Sequence, residues 1–243
     1  MIVKADLHVH SAASWDGRSD LAALAQAAHA RGLDAIAVCD HDVCTDVSGE
    51  FPVLLIPGVE VTSTAGHILG LFLEKPLDRA LWKDGAPTPR AAIDAIRACG
   101  GLAAPAHPFS PQKLSDAALA ALCPDAIEVQ NARVALKNAA RNRQAQEFAV
   151  QQQQLAVTGG SDAHCAAEVG GCYTELDCTE RSLAALRAAL AAGRTRAVFD
   201  HACTWTQKGL SQWHGARRAP ILRRCKALVY LCVCVLRDLF TGR

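Results

Sequence analysis

Short apolar runs rich in β-branched residues or alanine alternate along this chain with longer amphipathic stretches. The runs lie near 2–7, 34–39, 53–61, 67–73, 102–106, 126–129 and 155–158. Their shortness, bounded by turn-forming residues, predicts strands. Helical spacing of apolar residues covers 19–31, 88–99, 114–122, 134–150 and 180–192. Thr88-Pro89 is a helix start, and Gly32 and Gly100 are helix stops. Such alternation predicts a parallel α/β architecture with both sheet faces covered. Seven strand candidates suit a barrel or a doubly wound sheet equally, and no internal repeat is present.

The pattern changes at about residue 201, which divides the chain into a domain over 1–200 and a C-terminal extension over 201–243. In 217–243, Ile221, Cys225, Leu228, Cys232, Val235 and Leu239 fall on one helical stripe, widened by Leu222, Val229, Leu236 and Phe240. Arg223, Lys226, Tyr230 and Arg237 lie opposite, and the segment carries seven basic residues against one acid, Asp238. An amphipathic helix docked on the domain is the simplest expectation. A homo-oligomer interface and a weak membrane-surface contact are the other two.

Composition narrows the function classes. Half of the 243 residues are hydrophobic and the formal net charge is +1, so nothing biases the chain globally toward nucleic acid or membrane. Any anionic substrate must be held by a local feature, and no stable nucleic-acid binding is expected. The eleven cysteines are scattered, odd in number and without a C-x-x-C pair, which suits neither a zinc ribbon nor a disulfide scaffold. Most, such as Cys39, Cys99 and Cys232, sit in apolar runs and are expected to be reduced and buried. Met1-Ile2-Val3 leads straight into the first motif without room for a signal peptide, and no apolar run approaches the roughly 20 residues that span a bilayer. The expected location is cytoplasmic.

Polar residues gather beside the strand candidates. His8 and His10 follow the first, Asp40 and His41 the second, and Glu60 ends the third. His67 opens the fourth, His107 follows the fifth, Glu128 lies in the sixth, and Asp162 and His164 follow the seventh. In parallel α/β folds the carboxyl ends of strands converge on one rim. In H-x-H or D-x-H on a strand, residues i and i+2 share a face and can reach one cation. A single H-x-H is as often structural. Six imidazoles with Asp16, Glu60 and Asp162 exceed what one tetrahedral ion needs and point to two or three divalent ions. His29, in an alanine-rich helix, and His201 and His214, in the irregular tail, carry no metal expectation.

ADLHVHS…WDG, AVCDHD, PGVEV, GHILGL, AHPF, IEVQN and GGSDAH together resemble the successive motifs of PHP-domain phosphoesterases, the polymerase and histidinol phosphatase superfamily. The resemblance runs from about residue 4 to 198. It implies a distorted (β/α)7 barrel and a trinuclear metal site. His8, His10, Glu60 and Asp162 would hold the first metal. Glu60 would bridge to a second held by His67 and His107, and Asp16, His41 and His164 would hold a third. Cys39 stands where the family usually has threonine, at a position that is not a ligand. Asp40 is expected to orient an imidazole. Zinc, manganese and iron all suit such ligands.

The implied reaction is hydrolysis of a phosphate ester by a metal-bridging hydroxide, with Glu60, Asp162 and His107 as the catalytic set. Arg133 is a candidate for pairing with a phosphate oxygen or a surface residue; Asn131 and Glu128 are pocket or structural residues. The substrate class is a small phosphomonoester, nucleotide or short oligonucleotide. His107 and Asp162 are only 55 positions apart, so the long insertion of relatives acting on nucleoside bisphosphates or short RNA is absent. A non-catalytic metal-binding module and an amidohydrolase are the alternatives, the latter disfavoured because no lysine stands at a strand end.

Overall fold

The computed structural model describes residues 1–110, 114–152 and 155–241. In order, the chain forms β1 (Ile2–Val9), α1 (Leu21–Ala30), β2 (Ala35–Val38), β3 (Leu54–Ser63), β4 (Gly66–Leu71), α2 (Pro89–Ala98), β5 (Leu102–Ala106) and α3 (Asp116–Ala121). There follow β6 (Ala126–Asn131), α4 (Ala132–Asn138), α5 (Ala140–Gln151), β7 (Ala156–Gly160), β8 (Cys172–Asp177), α6 (Leu183–Ala191), β9 (Thr195–Phe199), α7 (Trp205–Gly215) and α8 (Ile221–Thr241). Side chains at the residue before the helix accept an amide hydrogen bond for α1 (Asp20), α2 (Thr88), α3 (Ser115) and α4 (Asn131), and Pro89 fits the first turn of α2.

A seven-stranded sheet in the order β5-β4-β3-β2-β1-β8-β9 curls into a half-barrel, and the parallel pair β6-β7 lies against β5, β1, β8 and β9 to fill the gap. Only β1-β2-β3 and β6-β7 pair in parallel; β3-β4, β4-β5, β1-β8 and β8-β9 are antiparallel. The expected all-parallel sheet is therefore a mixed one. Between β3 and β4 a two-residue turn leaves no room for a crossover helix, which dictates an antiparallel pair, whereas β4-β5 and β8-β9 are antiparallel although α2 and α6 lie between their strands. β8 (CYTELD) and β9 (TRAVF) carry neither a continuous apolar run nor a strict polar-apolar alternation, so no strand signal marks them in the sequence. The exposed Arg196 pairs across the strands with the half-buried Glu175. The stretch 134–150 is two helices broken at Ala139.

Small residues line the inside of the curl. Ala5, Ala35, Ala37, Ala104, Ala126 and Ala156 pack with Leu7, Ile56, Leu69, Leu71 and Leu176, which suits the narrow interior of a small barrel. Cys39 joins this core, whereas Cys123, Cys225 and Cys232 are exposed thiols rather than buried ones. The tail is not irregular: His214 lies within α7. α8 docks on α7 through Ala227, Tyr230, Leu231, Cys234 and Asp238, and not through the apolar stripe, which faces solvent. Residues 242 and 243 lie outside the described residues. No described helix is long and apolar enough to cross a membrane.

Candidate metal centre

All nine expected ligand residues meet at one end of the curl. Glu60 is their hub. Its Oε1 lies 2.7 Å from His67 Nδ1 and 3.1 Å from His107 Nε2; its Oε2 lies 3.1 Å from His41 Nδ1, 3.3 Å from His10 Nε2 and 3.4 Å from His8 Nε2. Asp162 Oδ1 is 3.4 Å from His10 Nε2 and 3.8 Å from His8 Nε2. Asp16 Oδ2 is 2.9 Å from His164 Nε2 and 3.9 Å from His41 Nε2. The ring centroids of His10 stand 4.6 Å from those of His41 and 4.3 Å from those of His164.

Backbone geometry aims these groups. His8 in β1 and His10 one residue past its end are two positions apart and so project to the same side. His107 and Asp162 both adopt left-handed backbone, with φ of 33° and 56°. That conformation costs about 1–3 kcal/mol at a non-glycine residue and must be held by its surroundings. The Glu128 carboxylate accepts the His107 amide at 2.7 Å, and the His8 carbonyl accepts the Asp162 amide at 2.8 Å. Gly160 lets β7 pass the site: a Cβ there would stand 2.3 Å from the His8 Cβ. Gly17 closes the Trp15-Asp16 turn, where a Cβ would meet the Ser11 carbonyl.

Charge is partitioned by these contacts. Burial pushes the Glu60 carboxyl upward, but His67, His41 and His8 outweigh it and hold it well below the usual range. Asp162 is likewise held low by His8, His10 and His164 against its burial. Burial pushes Asp16 upward, but His164, His10 and His41 together outweigh it and bring it to about 2. Burial, with His164 alongside, lowers the pKa of His10; burial also lowers that of His41. Both rings are thus favoured neutral, the form in which imidazole binds a cation. His10 Nδ1 is buried without a hydrogen-bond partner.

Such a donor set fits divalent ions. Imidazole nitrogens facing one another, as His8 Nε2 and His10 Nε2 do at 3.1 Å, are arranged for a shared cation. Ligand atoms converge within 4.8 Å in the groups His8-His10-Glu60, His8-His107-Asp162, His41-Glu60-His67 and His10-His41-His164.

Residues around the ligands orient them. Glu128 Oε1 lies 2.9 Å from His8 Nδ1, which leaves Nε2 for the centre, while Oε2 also accepts Asn131 Nδ2 at 3.1 Å. Asn131 is buried, and its Oδ1 caps α4 by accepting the Val134 amide. Asp40 does not touch an imidazole. It accepts the amide and hydroxyl of Ser11 and the hydroxyl of Thr45, so it fixes the loop after His10 instead. Asp6, unread in the sequence, accepts the Ser161 amide and hydroxyl and the Gly170 amide, tying β1 to the loop that carries Asp162 and His164.

A cavity of about 400 Å³ opens over the ligands. Its far wall is cationic, formed by Arg133 and Lys137 of α4 and Lys208 of α7. Arg133 is buried, not on the surface; its guanidinium donates to Glu168 at 3.2 Å and to Ser211 of α7 at 2.7 Å. Burial, Lys137 and Arg133 lower the Lys208 amine to about 7. Trp15 walls the cavity too, its ring stacked on His41 at 5.7 Å between centroids.

Comparison with known proteins settles the family. The PHP domain matches residues 6–97, and the PHP-associated family matches 139–195. An uncharacterised protein of Methanocaldococcus jannaschii is 30% identical over 125 residues, which are 45% of this chain and 70% of that protein. The chain belongs to the PHP family. A 5'-3' exoribonuclease of Haemophilus influenzae is 39% identical over 85 residues, 31% of each chain. Among solved structures, a two-domain protein of Bacteroides vulgatus containing a predicted PHP-like metal-dependent phosphoesterase superposes with a TM-score of 0.63 at 24% identity. The match covers 82% of this chain and 65% of that one. The lesion-specific endonuclease EndoQ of Pyrococcus furiosus gives 0.55 at 17% identity, covering 81% of this chain and 58% of that one. These structures share the PHP fold; the cationic wall and the ligand contacts above are read from this chain alone.

Proposed function

We propose that the chain is a metal-dependent phosphoesterase that hydrolyses a small phosphomonoester, nucleotide or short oligonucleotide. One observation carries the reading: five histidines converge on Glu60, with Asp16, Asp162 and His164 beside them, in a cavity that Arg133, Lys137 and Lys208 also line. Cations facing a metal-ligand cluster across one cavity suit a phosphoryl group, whose negative oxygens need partners on both sides. A metal-binding module without a substrate has no use for that wall.

In this reading His8, His10, Glu60 and Asp162 would hold one ion, Glu60 with His67 and His107 would hold a second, and Asp16, His41 and His164 would hold a third. Divalent ions in such a site supply Lewis acidity and lower the pKa of water toward neutrality. The chain's own residues do the rest. Glu128 keeps the His8 Nε2 lone pair aimed inward. Arg133, immobilised by Glu168 and Ser211, offers guanidinium N–H groups to equatorial phosphoryl oxygens. Lys137 and Lys208 add charge on the same side. An adjoining cleft of about 210 Å³, lined by Pro105, Pro108, Leu114 and Leu119 and sharing His67 and His107, has room for the leaving alcohol. The exoribonuclease and endonuclease among the similar proteins favour a nucleotide or oligonucleotide leaving group.

The test is turnover of a panel of phosphomonoesters and diesters by protein loaded with zinc, manganese or iron, alongside metal analysis. Glu60→Gln should remove both turnover and part of the bound metal. Full metal loading without hydrolysis of any phosphate ester, or normal rates in Glu60→Gln, overturns the proposal.

A further inference from the structure

α8 is two-faced in an unusual sense. At about 100° per residue, Ile221, Leu228, Cys232, Val235, Leu236 and Leu239 centre an apolar arc of roughly 160°. That arc points away from α7, and its side chains are uncovered: Leu239 is 73% exposed and Phe240 87%. The docked face is the opposite one, through Tyr230, Leu231, Cys234 and Asp238. Lys226 borders the arc on one side and Arg224 on the other, both exposed. A monomeric soluble protein rarely leaves so continuous an aliphatic face open to water.

Charge identifies the occupant. Among the described residues from 217 onward there are six basic side chains and one acid, Asp238. That acid is buried, and its carboxylate accepts the amides of Trp205 and Thr206 at the start of α7. No carboxylate of α8 is therefore left to meet the basic borders of a second copy packed face to face, and like charges would oppose each other. A flat hydrocarbon boundary edged by phosphate groups satisfies both features at once: the arc enters the acyl region while Arg and Lys snorkel to the headgroups. The helix has 21 residues, ample for an interfacial helix lying in the plane.

We infer that α8 is a membrane-interfacial helix that seats the protein on an anionic lipid surface through Leu228, Val235, Leu236, Leu239 and Phe240, edged by Arg224 and Lys226. The N-terminal half of α8 lines a cleft with Trp15, which also walls the metal cavity, so the seated helix lies beside the mouth of the site. The inference is independent of the reaction proposed above.

The experiment is flotation of the full chain with vesicles of phosphatidylcholine, with and without a minority of phosphatidylglycerol. Binding should be at least about tenfold stronger to the anionic vesicles and weaken as salt is raised. The double variant Leu236→Glu/Leu239→Glu should lose binding by about tenfold or more, and Arg224→Glu/Lys226→Glu comparably. Both pairs are solvent-exposed, so circular dichroism and metal content should match the parent and exclude misfolding. Absent binding, equal binding to neutral vesicles, or a dimer in sedimentation velocity that Leu236→Glu/Leu239→Glu dissociates each overturns the inference.

Discussion

Replacing Glu128 by glutamine changes one atom of a residue that touches no solvent, yet the contacts predict a double cost. The carboxylate has two assignments: Oε1 takes His8 Nδ1 at 2.9 Å, and Oε2 takes the His107 amide at 2.7 Å and Asn131 Nδ2 at 3.1 Å. All three partners use it as an acceptor when His8 carries its proton on Nδ1. Glutamine has a single acceptor oxygen. With that oxygen toward His107, its NH2 faces His8 and forces the proton to Nε2, the nitrogen aimed at the metal ligands. With the oxygen toward His8, the NH2 meets two other donors, and a buried amide in left-handed backbone loses its partner. An unsatisfied buried donor costs about 1–3 kcal/mol. Mis-set imidazole tautomers typically cost 10–100-fold in metal affinity, or about 1.4–2.8 kcal/mol. Glu128→Gln should therefore bind metal about 10–100-fold more weakly in a chelator competition, and its metal-free form should melt earlier. Metal affinity within about twofold of the parent, with unchanged melting, would refute the orienting role of Glu128.

Three further outcomes follow from the same contacts. Gly160→Ala sets a methyl group 2.3 Å from the His8 Cβ, so it should cost about 1–3 kcal/mol in denaturant unfolding and displace His8; unchanged stability and metal content count against the close passage of β7. Lys208 sits at about 7, below its ordinary 10.5, because burial disfavours the ammonium. Between those values the unfolded chain holds a proton that the folded one lacks, so this group makes folding more favourable as pH rises through the window. Phosphate binding runs the other way, since an anion favours the ammonium: KM for a phosphate ester should rise above pH 7, and Lys208→Met should flatten that rise. A KM profile identical in the variant removes Lys208 from substrate contact. Finally, Asp238→Ala leaves the Trp205 and Thr206 amides uncapped and should lower stability by about 0.5–2 kcal/mol in denaturant titration, with α8 more exposed to hydrogen exchange.

The convergence of the nine candidate ligands was legible because strand ends announce themselves. Five of the seven apolar runs end on or run into a His, Asp or Glu, and parallel pairing of β1, β2 and β3 brings the first three of those ends to one rim. Glu128 and Asp6 were harder to place. Each stands inside an apolar strand, where alternation alone cannot tell a turned-in carboxylate from a solvated one. The roles of Asp40 and Arg133 depended on partners far away in sequence: Ser11 for one, Glu168 and Ser211 for the other. Lys208 and Gln212 left no signal. They reach the cavity only because α7 folds back across α4, and no local pattern encodes that path. The stripe in α8 was read correctly as a stripe, but burial of apolar residues was the wrong guide to its docking face. The capping demand of α7, met by Asp238, fixes the helix the other way round.

That same linkage makes the C-terminal helices part of the site and not an appendage to it. Ser211 of α7 holds the Arg133 guanidinium against Glu168, and Glu168 in turn accepts the amide of His164 at 3.0 Å. Gly215, at the end of α7, lies where a Cβ would strike the Trp15 ring, which stacks on His41. Two ligand histidines are thus buttressed, through Glu168 and through Trp15, by one helix. α8 holds that helix by the Asp238 cap and by Arg237 stacked 3.9 Å over Trp205. A shift of α8 consequently has a path of packed and charged contacts to the cationic wall. Whatever surface α8 rests on bears on how Arg133 and Lys208 line the cavity.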